Sequence, residues 1–423
     1  MTSTAPPQPR SGAGYREVLA NPEFRGLVVA QVTSECGDQL ARVALAALVL
    51  DRSGSPFFAA LAFAVSYLPA VFGSALLGPF ADRLPRKRLL LGCDLARAVI
   101  IAVLAVLAVA GTPLWLLFAL LLLAETFTAP FEAARMATVP DVLVDPRHYL
   151  TGSALGRILS QVNQVLGLAI AGVVVTLLSP RGALIVDALT FLVSFLVVQR
   201  TLAHRDAVTH VSRLGGLWRD IRDGGRIVFQ DRVRRNLVLL GWIVAPFLIA
   251  PEAVALAHAH GHGHNDAVGT LLMASLPAGT AVGALLLSRL PAPRQVASIL
   301  PLAVLACVPL LLTPFVASFA VLLALWLVAG ALQSFVVPVI ATFNLVIPDT
   351  HRGRANGLAA AGFSVGTGLS FLLVGLLAEL TSPLLAVGIA GIYGLVALAA
   401  LRVVWPTAAL REAAQATYAD RAS

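Results

Sequence analysis

Gly78-Pro79-Phe80-Ala81-Asp82-Arg83-Leu84-Pro85-Arg86-Lys87-Arg88 is an island of charge between two apolar runs. Its pattern is G-x-x-x-D-R-x-x-R-K-R. The flanking residues 56–80 and 89–110 are each long enough to cross a bilayer, which takes about 20 apolar residues in helical form. A basic turn between two such runs stays on the inner side of a membrane, because Lys and Arg resist translocation. Gly78 permits close helix approach. Asp82 caps a helix or pairs with an arginine across an interface. The stretch reads as the inner turn of an all-α protein that crosses the membrane many times.

Composition points the same way. Of 423 residues, 58% are hydrophobic and only 12% charged, against about 25% charged in a soluble domain. Mean hydropathy is +0.86. So few charges cannot cover a soluble surface, which excludes a soluble enzyme, a nucleic-acid binder and a disordered scaffold. The net charge of +8 is therefore read by position, not as an attraction to phosphate. Cys36, Cys93 and Cys307 are odd in number and lie in apolar runs, so neither a disulfide framework nor a zinc site is expected. Residues 1–24 are polar and have no signal-peptide core.

Breaking the chain at its charges, prolines and glycines gives about twelve spans. The first six run near 26–50, 56–80, 89–110, 113–134, 151–178 and 181–199. The second six run near 236–257, 267–289, 297–313, 315–340, 355–380 and 383–404. With the N-terminus inside, only Arg52 and Arg181 fall outside, while Arg42, Arg97 and Arg157 fall within spans. The other basic residues gather on the inner side, as an even number of crossings requires. The expected organisation is an inner segment 1–24, a six-helix bundle 25–200, a linker 201–235, a second bundle 236–404 and an inner tail 405–423. Leu214, Leu217, Trp218, Ile221 and Val228 recur at helical spacing among Arg219, Arg222 and Arg226. They suggest either an amphipathic linker helix on the inner leaflet or a solvated one.

The halves echo each other. Phe127-x-x-Pro130 and Pro140-Asp141 recur as Phe335-x-x-Pro338 and Pro348-Asp349, offset by 208 residues. Arg83-Leu84-Pro85 recurs as Arg289-Leu290-Pro291. The agreement of offsets indicates duplication of a six-span unit, an arrangement suited to a transporter with its site between the halves.

The loop at 78–88 resembles the signature of the major facilitator superfamily. Within it the chain is similar to the branch of macrolide-type drug exporters and the enterobactin exporter. The likeness is carried by Phe24-Arg25 ahead of Gly37-Asp38, by Arg42-Val43-Ala44-Leu45, and by Cys93-Asp94-Leu95-Ala96-Arg97-Ala98. Ala133-Ala134-Arg135 with Val139-Pro140-Asp141, Ile185-Val186-Asp187-Ala188-Leu189-Thr190-Phe191 and Arg352-Gly353-Arg354 extend it. The resemblance implies alternating access and proton-coupled export of an amphipathic small molecule. The fourth span departs from many drug–proton antiporters in having Glu125 but no arginine. The fifth has Gly167 and Gly172 without the proline of G-x-x-x-G-P-x-x-G-G. Ser288 stands where the second-half loop would carry an aspartate.

An ionisable group within a span faces a cavity or a partner, since burial in hydrocarbon costs at least about 2.5–3.5 kcal/mol. Glu35, Asp38 and Arg42 share one face of the first span by their spacing of three and four. They are expected to hold an exchangeable proton or a substrate cation, or else to lock the first helix to a neighbour. Glu125 sits mid-span with no basic residue within four positions, so burial favours its neutral form; it is expected to carry a proton or else to be a protonated, hydrogen-bonded packing residue. Glu252 follows Pro251 near the outer end of the seventh span and is expected to act in coupling at an outer gate. Asp94 with Arg97, and Glu132 with Arg135, read as structural pairs one turn apart. Gln161, Asn163, Gln164, Gln333, Ser334 and Asn344 either line a cavity or join helices. His258, His260, His262 and His264 alternate on an outer loop, where an extended chain could present them to a metal.

The reading is secondary active export without a cofactor. The expected partners are a small molecule, protons and the lipid bilayer, with no nucleic acid, and the chain is expected to act as a monomer. The conformational loop is Gly78, Asp82, Arg83, Arg86, Lys87 and Arg88. A siderophore exporter of the same fold is the near alternative. A membrane enzyme would need a compact acid–histidine set, for which Asp145 and His148 offer only spacing. No nucleotide-binding G-x-x-x-x-G-K-[ST] run occurs. A non-transporting sensor would leave the intramembrane charges without a use.

Overall fold

A computed structural model describes residues 14–69, 84–205, 217–348 and 351–406, and these are helical with no strand. In chain order the helices are α1 (Tyr15–Ala20), α2 (Pro22–Ser53), α3 (Pro56–Tyr67), α4 (Arg86–Leu107), α5 (Leu114–Thr126), α6 (Thr128–Val142) and α7 (Pro146–Thr201). There follow α8 (Leu217–Gln230), α9 (Arg232–Leu239), α10 (Ala250–Gly261), α11 (Asp266–Leu287), α12 (Ala292–Ala297), α13 (Ile299–Leu312), α14 (Phe319–Gln333), α15 (Val336–Val346), α16 (Arg352–Leu380) and α17 (Pro383–Val404). Gly78, Asp82 and Arg83 of the basic loop lie outside the described residues, as does Leu214 of the linker.

Eight helices among the described residues are long and apolar enough to cross a membrane, and Pro56–Tyr67 and Ile299–Phe315 are shorter apolar helices. Apolar side chains such as Val106, Trp115, Leu177, Leu285 and Val396 point outward. That surface is stable only against lipid.

Local chemistry sets the helix boundaries. Asn21 accepts from the amides of Glu23 and Phe24 at 3.0 and 3.2 Å, and Pro22 opens α2. α2 ends at Gly54, whose φ of +66° is a left-handed conformation that glycine adopts most readily. Ser55 and Pro56 then start α3 at once. Asp145 caps α7 by accepting from the Arg147 amide at 2.7 Å, and that bond holds its carboxyl below the ordinary range. α7 has 56 residues, far longer than any bilayer is thick. It is two helices joined at Ser179, whose φ is +68°, just before Pro180. This is where the fifth and sixth spans were expected to part.

Two helices break at sites related by the internal repeat. α5 gives way to α6 at Phe127, and α14 gives way to α15 at Phe335. Pro130 and Pro338, three residues on, lack the amide that would carry the preceding turn through. The segment from Arg232 to Gly261 is interrupted differently, by a π-helical turn at Leu240–Val244 and a 3-10 turn at Ala245–Ile249.

Helices close up where they have no side chains. Gly279 and Gly283 of α11 lie against the backbone of Leu327 and Ala331, and Gly330 of α14 against that of Leu276. The linker helix α8 does not float free. Gly224 abuts the Arg354 carbonyl, Asp223 stands 3.5 Å from Arg354, and Phe229 meets Trp242 edge-on at 5.9 Å.

Candidate functional site

The site begins with the stripe on α2. Gln31, Ser34, Glu35, Asp38 and Arg42 recur every three or four residues and so share one face. The structure does not gather the three charged residues into one cluster. It hands each to a different neighbour.

Asp38 pairs with Arg97 of α4, whose side chain is 1% exposed. Arg97 also donates to Ser34 Oγ at 2.8 Å and lies 4.0 Å over the Phe191 ring. The expected pairing of Arg97 with Asp94 is therefore corrected. Asp94 instead accepts from Ser194 Oγ at 2.7 Å. Long side chains on a helix reach across to other helices as readily as along their own. Glu132 and Arg135 do pair as expected, at 2.5 Å.

Arg42 grips Glu125 with two bonds, Nε to Oε1 at 2.8 Å and Nη2 to Oε2 at 3.2 Å. The sequence showed no base near Glu125 because its partner is 83 positions away. Glu125 occupies the last turn of α5, and Thr128 donates to it at 3.2 Å from beyond the break. The break thus exposes a carboxylate to donors on both sides. Gln333, at the same point of the second break, donates its amide to the Ala245 carbonyl at 3.3 Å. The repeat therefore matches a charged acceptor in one half with a neutral donor in the other, a correspondence the motif offset contained but composition alone did not.

Glu35 has no cationic partner among the described residues. It accepts from Gln31 Nε2 at 2.8 Å, Ser160 Oγ at 2.9 Å and Asn163 Nδ2 at 3.3 Å. Three neutral donors suffice to satisfy a carboxylate. Arg135 joins this group through the Gln31 oxygen at 2.8 Å.

Two further acids lie deeper. Asp187 is fully buried, receives Thr190 Oγ1 at 3.3 Å, and has one oxygen without a partner. It packs where Gly37 leaves room between α2 and α7. Sequence reasoning gave it no role. Its signal was the acid within an apolar run. Glu252 is 7% exposed in α10 and forms no ion pair among the described residues. Tyr67 stacks on Phe371 at 5.7 Å and so joins the two halves of the chain. Among the described residues five buried carboxyl groups (Asp38, Asp94, Glu125, Asp187, Glu252) thus stand against two guanidiniums, which pair with Asp38 and Glu125 alone. Burying that many anions beside so few cations is unfavourable unless protons or a cationic ligand balance them.

The remaining expected residues are dispersed. Gln161 is exposed and Gln164 half-buried. Ser334 donates to the Ala331 carbonyl at 2.7 Å, and Asn344 accepts from Asn356 at 2.6 Å. Arg86 pairs with Asp141 and donates to the Ala137 carbonyl, while Lys87 donates to the carbonyls of Gln199 and Leu202. Arg88 is exposed. The described part of the basic loop therefore ties together the ends of α4, α6 and α7. His148 pairs with Glu17 at 3.1 Å, apart from the capping role of Asp145. The histidine tract is not extended: His258 and His260 belong to α10, and His258, His262 and His264 surround Phe319. No group of three or more metal-capable side chains forms among the described residues.

Among the described residues, the first and second halves of the chain meet through α3 with α16 and through α7 with α11. Ser55 Oγ donates to Glu379 at 2.7 Å, the Ala267 amide donates to Thr176 at 3.0 Å, and Phe63 and Tyr67 both stack on Phe371.

Comparison with known proteins bears on this arrangement. The family model for the Major Facilitator Superfamily matches residues 27–344 and 253–418. An uncharacterized MFS-type transporter of Bacillus subtilis, YkuC, is 25% identical over 249 residues, 56% of this chain and 57% of its own length. Macrolide efflux protein A of Streptococcus pyogenes is 24% identical over 52% of this chain and 54% of its length. The multidrug efflux pump Tap of Mycobacterium bovis is 27% identical over 54% of this chain and 56% of its length. The chain thus spans little more than half of each of these relatives. Among solved structures, the nucleoside transporter NupG superposes with a TM-score of 0.68 at 15% identity, over 91% of this chain and 99% of that one. A bacterial homologue of the human lysosomal transporter Spinster gives 0.62 at 15% identity, over 95% and 98%.

Proposed function

The chain belongs to the major facilitator superfamily, and from that membership we propose that it is a proton-coupled secondary exporter of an amphipathic small molecule. It is a multi-pass membrane protein, and the further reading is of twelve crossings in two six-helix bundles. The bundles are residues 25–200 and 236–404, with both termini and the linker 201–235 on the cytoplasmic side of the plasma membrane. The transport unit is a monomer, and it is a carrier rather than an enzyme.

The observation that carries this reading is the excess of buried carboxyl groups over guanidiniums around α2. Two acids, Asp38 and Glu125, are tied to arginines, while Asp187 and Glu252 are not. A proton or a cationic ligand that enters such a set changes its charge and releases or forms an ion pair. A ligand shifts a conformational equilibrium only by its differential affinity for the two states, and a pair that is buried in one state alone supplies that difference. Proton movement down the membrane potential contributes about 2.3 kcal/mol per charge per 100 mV. The excess of acids favours a cationic or zwitterionic substrate. The efflux names of two relatives support export over uptake.

On this reading the contacts between the halves among the described residues lie on the outer side, and the conformation is closed at its outer end. The test is drug accumulation in inside-out vesicles from a host lacking its own efflux pumps. Accumulation should require a proton gradient, collapse with a protonophore and vanish in Asp38→Asn. Transport that ignores the protonophore, or full activity in Asp38→Asn, overturns the coupling assignment.

A further inference from the structure

His260 stands between two carboxylates that come from different halves of the chain. Its Nε2 lies 2.6 Å from Asp266 Oδ1, and its Nδ1 lies 3.5 Å from Asp51 Oδ1. Asp266 opens α11, six residues after His260 in the chain, whereas Asp51 lies in the last turn of α2. We propose that His260 is a proton-binding site in its own right, separate from the intramembrane acids, and that a proton bound there from the outer medium latches the outer ends of the two halves together. The proposal rests on the alternating-access reading above.

The argument is one of donors and acceptors. A neutral imidazole carries hydrogen on one nitrogen and a lone pair on the other; only the imidazolium donates from both. With a carboxylate at each nitrogen, the cation satisfies both contacts. The neutral ring must turn a lone pair toward one of them. The shorter contact, to Asp266, stays within one half, so the contact given up is the one to Asp51. That is an ion-pair contact between the halves, at 3.5 Å. Without the cation the two carboxylates also face each other uncompensated, and Asp51 interacts electrostatically with Asp266 as well as with His260.

Among the described residues, no neighbouring group is placed to substitute for the histidine. Arg52, next to Asp51, donates to the Thr112 carbonyl at 3.3 Å. Glu379 accepts from Ser55. His262 approaches the His258 carbonyl at 2.9 Å, and it packs with His258 and His264 around Phe319. The His260 side chain is 25% exposed and that of Asp51 51%, so protons reach the site from the medium. Imidazoles change charge within the physiological range, which makes external acidity the signal.

The experiment uses the full chain in nanodiscs, with the native cysteines replaced and spin labels on Gly111→Cys and Ser318→Cys. Both positions are exposed, one on an outer turn of each half. Between about pH 5.5 and 8 the inter-label distance should shift from a single short population to one with a longer component. His260→Gln and Asp51→Asn should each abolish the pH response, and His260→Lys should keep the short distance throughout. Asp51→Asn alters an exposed side chain and so tests the latch even if the histidine variant fails to fold. A native distance that ignores pH, or a response that survives in His260→Gln or Asp51→Asn, overturns the proposal. Loss of gradient-driven transport with this response intact would instead refute the export reading alone.

Discussion

Asp38 and Arg97, 59 residues apart, form an ion pair inside the first half of the chain, with side chains 11% and 1% exposed. Removing one member of a buried pair strands the other charge, at about 3–5 kcal/mol. Arg97→Gln should therefore lower thermal stability strongly. Asp38→Asn should cost less, because Arg97 keeps Ser34 and the Phe191 ring. The double variant should regain part of the loss, as coupled neighbours do, while transport stays absent. Melting of the purified protein checks this, and strictly additive losses would contradict it.

Arg42 holds Glu125 through two nitrogens, a geometry lysine cannot copy. Arg42→Lys should keep the charge and lose the fork, slowing uphill transport about tenfold or more, where each tenfold step is about 1.4 kcal/mol. Glu125→Gln should retain substrate exchange down its own gradient and lose the response to a proton gradient. Counterflow and gradient-driven uptake, measured side by side in vesicles, separate the two variants.

The all-helical, membrane-spanning class, the 208-residue echo and the charged face of α2 were legible from residues alone, because each is a local pattern with a fixed period. The partners were not. Spacing reports neighbours on one helix, so it joined Arg97 to Asp94 and left Glu125 without a base. The actual bonds run between helices, Asp38 to Arg97 and Arg42 to Glu125, and helix order in the bundle decides them. The Phe-x-x-Pro echo was visible, yet its consequence was not: both copies are helix breaks, and each sets a polar side chain, Glu125 or Gln333, at the end of the first segment. The histidine tract misled by its alternation, which means two faces in an extended chain but not in the helix it joins.

Gly330 meets the Leu276 carbonyl, and Gly279 meets that of Leu327, so the α11–α14 contact is backbone against backbone. In a membrane such closeness is the main source of helix association. Gly330→Val should force the helices apart at about 1–3 kcal/mol and lower the melting temperature. Gly111→Val, at an open turn with nothing within 4 Å, should leave it unchanged. Equal effects of the two would remove the packing argument.

Ser55 caps α3 while its hydroxyl donates to Glu379 of α16 at 2.7 Å, and the Phe57 amide points at the same oxygen from 3.4 Å. The carboxylate thus faces the positive end of a helix that belongs to the other half of the chain, an attraction of about 0.3–1 kcal/mol at an exposed terminus. The contact exists only while the outer ends are together. Glu379→Gln removes the charge and keeps the size, so it should shift the population toward the outward-open state, by up to about fivefold for 1 kcal/mol. Phe371, stacked on Phe63 and Tyr67 just below, reports the change. A cysteine at Phe371 should react faster with an impermeant maleimide added outside when Glu379→Gln is present. Thr381→Ala, two residues on and without a bond to α3, should not alter that rate. Equal rates in all three backgrounds would mean that this carboxylate does not hold the end closed.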